Sequence, residues 1–520
     1  MKKTALLLAA ILCASTLTAC SGSSDASSQE SQASNAASTS GETAETDEPM
    51  TLTFFVTWME KVNETQPVRQ KLEEELNIKM DMQPSLDKEA LNLRIAGGDL
   101  PDYIRDQTFI DYHNYADQGI FTELPVEVIK ENAPNLAEWA EREGGGENVW
   151  SYYIHDGKNY SVPILWSLAN QGFTLAWRSD MLEMAGFSEE NPPVTLEDME
   201  NGMRTIHEQT GIAPLTATDG LGSLSHVFGA YGAYLNYYEK DGQMVYGPIQ
   251  PEAKEALATL NEWYAEGLLD PEFMINTFDS VLEKWSSDQA AIVEYYWWDL
   301  LPKEAFFDGR LYECNEERGL SNIIVLPPEG PDGESGMTQG NPFPSSGLQF
   351  TKALEDQPEK IAKYLQVFDR TWDRELQDFL NYGVEGETYN YNEETGVEWI
   401  APYDDPEKRD EYGLGLYPLP GCFNDYDFQA KYSTQPQYLE LRNESEEKGV
   451  GMVPILDPFY RPVYNEKAEI LDKVYNDAYI DFITGARSLD EFDAFVEEWL
   501  AAGGQEVLDE AQQVYDENLK

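Results

Sequence analysis

The sequence predicts an α/β protein built as two lobes. Three observations carry this. The folded part opens on a strand, helix, strand run, extended and helical pieces then alternate through the middle of the chain, and the C-terminal stretch is mostly helical. Residues 51 to 520 also exceed what one hydrophobic core ordinarily serves, since chains beyond roughly 250 to 300 residues divide into domains.

The opening run TLTFFVTW, Thr51 to Trp58, is rich in β-formers and suits a buried parallel strand. VRQKLEEELN reads as a helix, and IKMDMQP alternates as a second strand. Strand, helix and strand at this spacing form a βαβ unit, which predicts a parallel sheet. KEALNLRIAGG is a helix closed by Gly97 and Gly98, and it runs into DLPDYI. Extended DGKNYSVPIL and FTLAWRSDMLEMAGF follow, then helices in TLEDMENGMRTIHEQT and PEAKEALATLNEWYAEG. QAAIVEYYWW is extended and aromatic, SNIIVLPPEG a buried strand entering a turn, and PFPSSGLQF a further strand. IAKYLQVFDRTW and the segments AEILDKVYNDAYIDFITGA and LDEFDAFVEEWLAAGG are helical. No repeat at a solenoid period is visible. Strands early and in the middle with helices late predict a chain that crosses between lobes more than once.

The N-terminus has a separate character. Lys2 and Lys3 precede an apolar run from Ala5 to Cys13, the order of a secretory signal, and the run is too short to span a bilayer. It ends in Leu17-Thr18-Ala19-Cys20, which resembles the bacterial lipobox and predicts cleavage after residue 19 with lipid on Cys20. Residues 21 to 49 are Ser, Ala, Thr and acid without aromatic or basic side chains, so they bury too little to fold and read as a tether. Such a coil ranges about 30 Å, which suits a body standing clear of a Gram-positive type of envelope. The prediction is a cell-membrane protein, lipid-anchored on the extracellular face.

The formal net charge is -61. Nucleic-acid binding needs a basic surface that displaces counterions, so that class is excluded. A neutral or cationic ligand is favoured, with screening over about 8 Å leaving room for a local basic pocket. Cys13 leaves with the signal and Cys20 takes lipid, so Cys314 and Cys422 remain, and spacing does not decide whether they pair. No CxxC pair, HExxH pair, Walker A loop or dinucleotide fingerprint is present. Counting carboxylates does not exclude a glycosidase pair.

Seven segments taken in order carry a resemblance: AGGDLPDYI, DGKNYSVP, LAWRSDMLEMAGF, VTLEDME, LNEWYAEGLLDPEF, NYGVEGETYN and ITGARSLDEFDAFVEEWLAAGGQEVL. Together they resemble the family 1 extracellular solute-binding proteins, in particular the lipoprotein subgroup serving ABC importers of oligosaccharides. The resemblance implies a type II-like, two-lobed periplasmic-binding-protein clamshell with the ligand held in the interlobe cleft. It implies a non-enzymatic monomer whose partners are an oligosaccharide and the permease subunits. The same fold as an oligopeptide receptor, and a surface glycosidase or adhesin, are the alternatives. The boundaries it suggests are 51–175 plus 345–380 for the first lobe and 176–344 plus 381–520 for the second.

Sugar rings offer apolar C–H faces and a hydroxyl rim, so aromatic planes beside carboxylates and amides are the candidates. Trp58 and Glu60 follow the first strand, at the edge where open sheets bind ligands. Trp297, Trp298 and Asp299 follow an extended run, in which successive rings would point to opposite faces. Asp102 lies near a strand start, while Asp99 reads as a turn or cap. Arg178 is either a cleft donor or an ion-pair partner. Tyr382 and Glu385 match a segment at the lobe interface, and Trp166, Tyr231 and Trp399 sit in aromatic loops. Relatives of the subgroup carry a calcium loop after the helix corresponding to LEDMENGMRTI, but this chain reads HEQTGIAPL there. No metal or other cofactor is therefore predicted, and PDGES near Asp332 reads as a turn.

Overall fold

The computed structural model describes residues 48–165, 173–218, 221–300, 309–337, 345–392, 396–417, 419 and 455–520. The predicted signal, Cys20, the tether as far as residue 47, Trp166 and Cys422 lie outside the described residues, as does the side chain of Trp298.

The βαβ unit forms as predicted. Strand Met50–Val56 runs parallel to Ile78–Pro84, in register from Met50 opposite Ile78 to Val56 opposite Pro84. Alternation puts Leu52, Phe54 and Val56 inside, facing Leu72 of the connecting helix Pro67–Leu76. That helix stops at Asn77, which takes a left-handed φ of 46°. Buried Arg69 closes the unit through Glu73 at 3.0 Å. The next helix, Lys88–Gly97, begins at Asp87, whose side chain accepts from the Ala90 N–H at 2.7 Å, and ends at left-handed Gly98.

The rest of the first lobe departs from the parallel sheet the sequence predicts. Strand Leu348–Phe350 lies between Tyr103–Arg105 and Ser161–Val162, antiparallel to both. A strand returning from the other lobe has no crossover helix on this sheet to bring it in parallel. Helix Pro358–Arg370 then covers the core with Tyr364 and Phe368.

A second core surrounds strand Phe173–Arg178. Ile292–Tyr296 and Asn322–Val325 flank it, both antiparallel, and Leu215–Thr216 joins the outer edge parallel to Ile292 and Val293. Leu175 and Trp177 face helices Leu196–Thr210, Pro251–Glu266 and Pro462–Thr484, while Ala176 faces a smaller cluster around Trp285 and Tyr295. Thr195 and Asp198 form a capping box at the head of Leu196–Thr210. The helical C-terminus docks through Tyr479, which donates to the Pro248 carbonyl at 2.7 Å, and through Trp499 stacked on Tyr246.

Two expectations need correction. Residues 381 to 417 belong with the first lobe. Hairpin Tyr389–Asn392 and Gly396–Trp399 packs on helix Arg374–Tyr382, and Leu414, Leu416 and Tyr417 enter the first core. The chain therefore changes core between 165 and 173, between 337 and 345, and between 419 and 455. Second, the extended aromatic run ends at Tyr296. Trp297–Leu300 is a helical turn, so the two tryptophans do not alternate as strand residues. No helix among the described residues is long and apolar enough to cross a membrane.

Candidate binding pocket

Three strands of the first lobe end at a common rim: Met50–Val56, Ile78–Pro84 and Tyr103–Arg105. Beyond them lies a pocket of about 420 Å³ whose lining includes Phe55, Trp58, Tyr103, Arg105, Asp106 and Gln107. The size falls within the range of small-molecule sites, and carboxyl ends of strands are where open α/β sheets bind ligands.

One wall is aromatic. The Phe55 and Tyr103 rings meet edge-on at 5.3 Å, and the Tyr103 hydroxyl accepts from the Phe55 N–H at 3.3 Å. Burial pushes the Tyr103 phenol up to about 12, so it stays neutral. Trp58 is half-buried, and its Nε1 donates to the Leu416 carbonyl at 3.0 Å, which fixes the indole. The other wall is polar. Arg105 pairs with Asp106, and the Gln107 amide donates to the Arg105 carbonyl at 2.8 Å.

This polar rim is tied to the segment that returns from the second lobe. The Asp106 N–H donates to the Gly347 carbonyl at 3.0 Å, and the Ser346 N–H donates to the Gln107 carbonyl at 2.9 Å. Gly347 has φ 78°, and a Cβ there would meet the Val162 carbonyl oxygen at 2.2 Å, so only glycine fits.

In the second lobe, half-buried Tyr296 ends its strand between two further rings. Phe173 stacks on it at 4.6 Å and Phe278 at 4.8 Å. Phe173 is also where the described chain enters this lobe.

Of the candidates read from the sequence, Trp58 lines the pocket, and Glu60 is exposed beyond it. Asp102 is engaged inside its own lobe, accepting from the Tyr364 hydroxyl at 2.7 Å and pairing with Lys360 at 2.8 Å. Arg178 is fully buried, gripping Asp180 at 2.6 Å and Asp288 at 2.8 Å, which makes it the ion-pair partner and not the cleft donor. Asp299 is fully buried and accepts from Arg310 at 2.8 and 3.0 Å. Trp297 is buried, and the Tyr231 hydroxyl shares a 2.6 Å hydrogen bond with Thr259. Tyr382 is buried against Tyr389 and Trp399, and the Arg409 guanidinium lies 4.7 Å from the Trp399 ring centre. Glu385 is exposed in the preceding turn. Arg105, Asp106 and Gln107, which were not among those candidates, also line the pocket, and charged and amide residues directly after a strand are the local signal for them.

The turn after Leu196–Thr210 closes on Gly211, with the His207 ring bonded to the Ile212 carbonyl at 2.6 Å. Among the described residues, a His and acid cluster lies elsewhere, where single ligand atoms of Asp117, His155 and Asp156 come within 4.8 Å of one another.

No family model matches the chain. Two proteins of Bacillus subtilis (strain 168) are similar along most of their length. Lipoprotein LipO is 22% identical over 448 residues, covering 82% of this chain and 83% of its own. The polygalacturonan/rhamnogalacturonan-binding protein YtcQ is 21% identical over 481 residues, covering 88% and 91%. Among solved structures, alginate-binding protein AlgQ2 without calcium ion aligns with a TM-score of 0.65 at 18% identity, covering 91% of this chain and 99% of that one. The S. pneumoniae ABC-transporter substrate binding protein FusA in complex with kestose aligns at 0.66 and 16% identity, covering 90% and 99%. The chain has the two-lobed α/β fold of these solute-binding proteins, with a helical C-terminus.

Proposed function

We propose that this chain is the solute-binding lipoprotein of an ABC importer, capturing an oligosaccharide between its lobes and delivering it to the permease. The pocket carries the reading. A fixed indole and two further rings offer a plane for the C–H face of a sugar, and Arg105, Asp106 and Gln107 stand beside them to exchange hydrogen bonds with its hydroxyls. The similarity to carbohydrate-binding proteins supports the same ligand class.

In this reading the pocket supplies the first lobe's half of the site, and the Tyr296 stack faces the ligand from the second. Ligand that contacts both lobes favours the closed arrangement by its differential affinity, and the permease recognises that loaded form. No bond is broken. Lipid on Cys20 keeps the receptor at the extracellular face of the membrane, within reach of its permease.

The test is a thermal-shift screen of the protein against a glycan library, with products followed by chromatography. A ligand at a hundredfold excess over its dissociation constant adds about 2.7 kcal/mol of stability. Saturable stabilisation without shortened products is the expected result, and Trp58→Ala should weaken binding about tenfold or more, since stacked aromatic anchors dominate such sites. Shortened glycans, or stabilisation by basic peptides and by no glycan, would overturn the proposal.

A further inference from the structure

One buried amide in the first lobe is not explained by the helix it heads. Gln66 is fully buried and stands at the N-cap position of helix Pro67–Leu76. A side chain in that place ordinarily accepts from the first N–H groups of its own helix. Gln66 makes no such bond. Its Nε2 donates instead to the Lys61 carbonyl at 2.9 Å and to the Asp410 carbonyl at 2.6 Å. Its Oε1 accepts from the Asn63 N–H at 2.9 Å and from the Tyr417 hydroxyl. A primary amide has two N–H donors and two acceptor lone pairs, so all four are used. Both carbonyls only accept, which fixes the end of the amide that carries nitrogen.

The four partners divide evenly between two distant stretches of chain. Lys61 and Asn63 belong to the loop 57–66 that follows the first strand, and Asp410 and Tyr417 to the segment 410–417. Trp58 hangs between the same two stretches. Its carbonyl accepts from the Lys61 N–H at 3.0 Å, closing the turn that carries the indole, while its Nε1 donates to the carbonyl of Leu416, the neighbour of Tyr417. Gly413, with φ 94°, lets the segment lie this close, since a Cβ there would stand 3.2 Å from Gln66 Cβ. Lys61 and Asp410 also form an ion pair at 3.0 Å, but both side chains are at least one-third exposed, so it is a weak tie beside a buried and saturated amide.

We propose that Gln66 is the positioning residue of the pocket's aromatic wall, holding loop 57–66 and segment 410–417 in one register so that the Trp58 indole stands ready for a sugar face. The inference rests on the pocket being the sugar site. Gln66 does not itself line the pocket and acts through Trp58. The residue type follows from the four bonds: a carboxylate accepts without donating, and a methionine of matching length donates nothing and accepts only weakly. An indole fixed from both sides before sugar arrives does not have to be ordered on binding, and preorganisation of that kind raises affinity.

The test reads the indole directly, by NMR of nitrogen-labelled full chain, with the Trp58 Nε1–H signal identified by its loss in Trp58→Phe. Gln66→Met should shift that signal and speed its exchange with solvent about tenfold, the equivalent of one hydrogen bond of ordinary net strength. Tyr417→Phe should do the same to a smaller degree. Leu136→Ala, on helix Pro134–Glu143 of the same core, is the control for lost stability: it should lower the melting temperature and leave the Trp58 signal where it was. Kestose and a galacturonate trisaccharide are then titrated calorimetrically. A sugar whose binding Trp58→Ala weakens should bind Gln66→Met about two- to tenfold less tightly, the cost of ordering one side chain on binding. An indole signal unchanged in Gln66→Met, or moved equally by Leu136→Ala, would overturn the proposal. So would an affinity that Trp58→Ala lowers and Gln66→Met leaves intact. Sugar binding that neither variant weakens, with the indole signal moved as expected, would overturn the pocket as the sugar site and leave the hold on the indole in place.

Discussion

The two lobes place their ionic groups differently. In the first, Arg105 and Asp106 stand at the pocket rim with solvent on one side. In the second, Arg178 and Asp299 carry the same charges into the interior, where each is fully buried and held by an oppositely charged partner. Charge at a rim is available to a ligand, while charge inside a core is committed to fastening the fold. The AWRSD and WWDL segments look like a binding site in the sequence because the chemistry is the same, and burial separates the two uses.

The contrast can be broken where its effect is largest. Arg310→Met removes the partner of fully buried Asp299 and should cost about 3 to 5 kcal/mol in denaturant unfolding, since a lone buried carboxylate is left behind. A loss below 1 kcal/mol would show that water reaches Asp299 and that the second lobe is not sealed as described.

A pH measurement sharpens the same comparison. Burial pushes the Asp270 carboxyl up, but hydrogen bonds from Lys284, at 2.6 Å, and from the Glu272 N–H, Asn276 and Thr216 outweigh it and hold the group below its ordinary value. Its folded pKa is depressed, so its contribution is complete above the unfolded value of about 3.9 and is lost as pH falls through the folded one. Asp270→Asn should cost about 1.5 to 3 kcal/mol at neutral pH. The gap between variant and parent should narrow below about pH 4. A gap that stays constant under acid would remove Asp270 from the account. The smallest effect belongs to the rim: Arg105→Met should change stability by less than about 1 kcal/mol while weakening ligand binding. A large stability loss there would place Arg105 among the fastenings.

The sequence makes the local parts legible. The first βαβ unit, the capping box at Thr195 and the glycine that ends Lys88–Gly97 all follow from signals within a few residues. Relations made at a distance are not legible. Trp58 is fixed by Leu416, Asp102 is occupied by Tyr364 and Lys360, and Arg178 is bound by Asp288. The tryptophan pair misled because β-forming side chains continue past the end of the strand. At Tyr296 the chain turns into a helix with no change in composition to mark it. The position of Trp58 on the pocket follows from a strand end, a local signal, whereas Asp106 takes its place at the rim from Gly347 and Ser345.

That attachment has a mechanical meaning. In the proposed site, a solute gripping Asp106 and Gln107 would pull on main chain that is stitched, atom to atom, to the strand arriving from the opposite lobe. Torque from a swing of one lobe would enter the pocket through two backbone hydrogen bonds, without a relay of side chains. Grip and swing would then act as the two ends of one short lever, with Gly347 as its pivot.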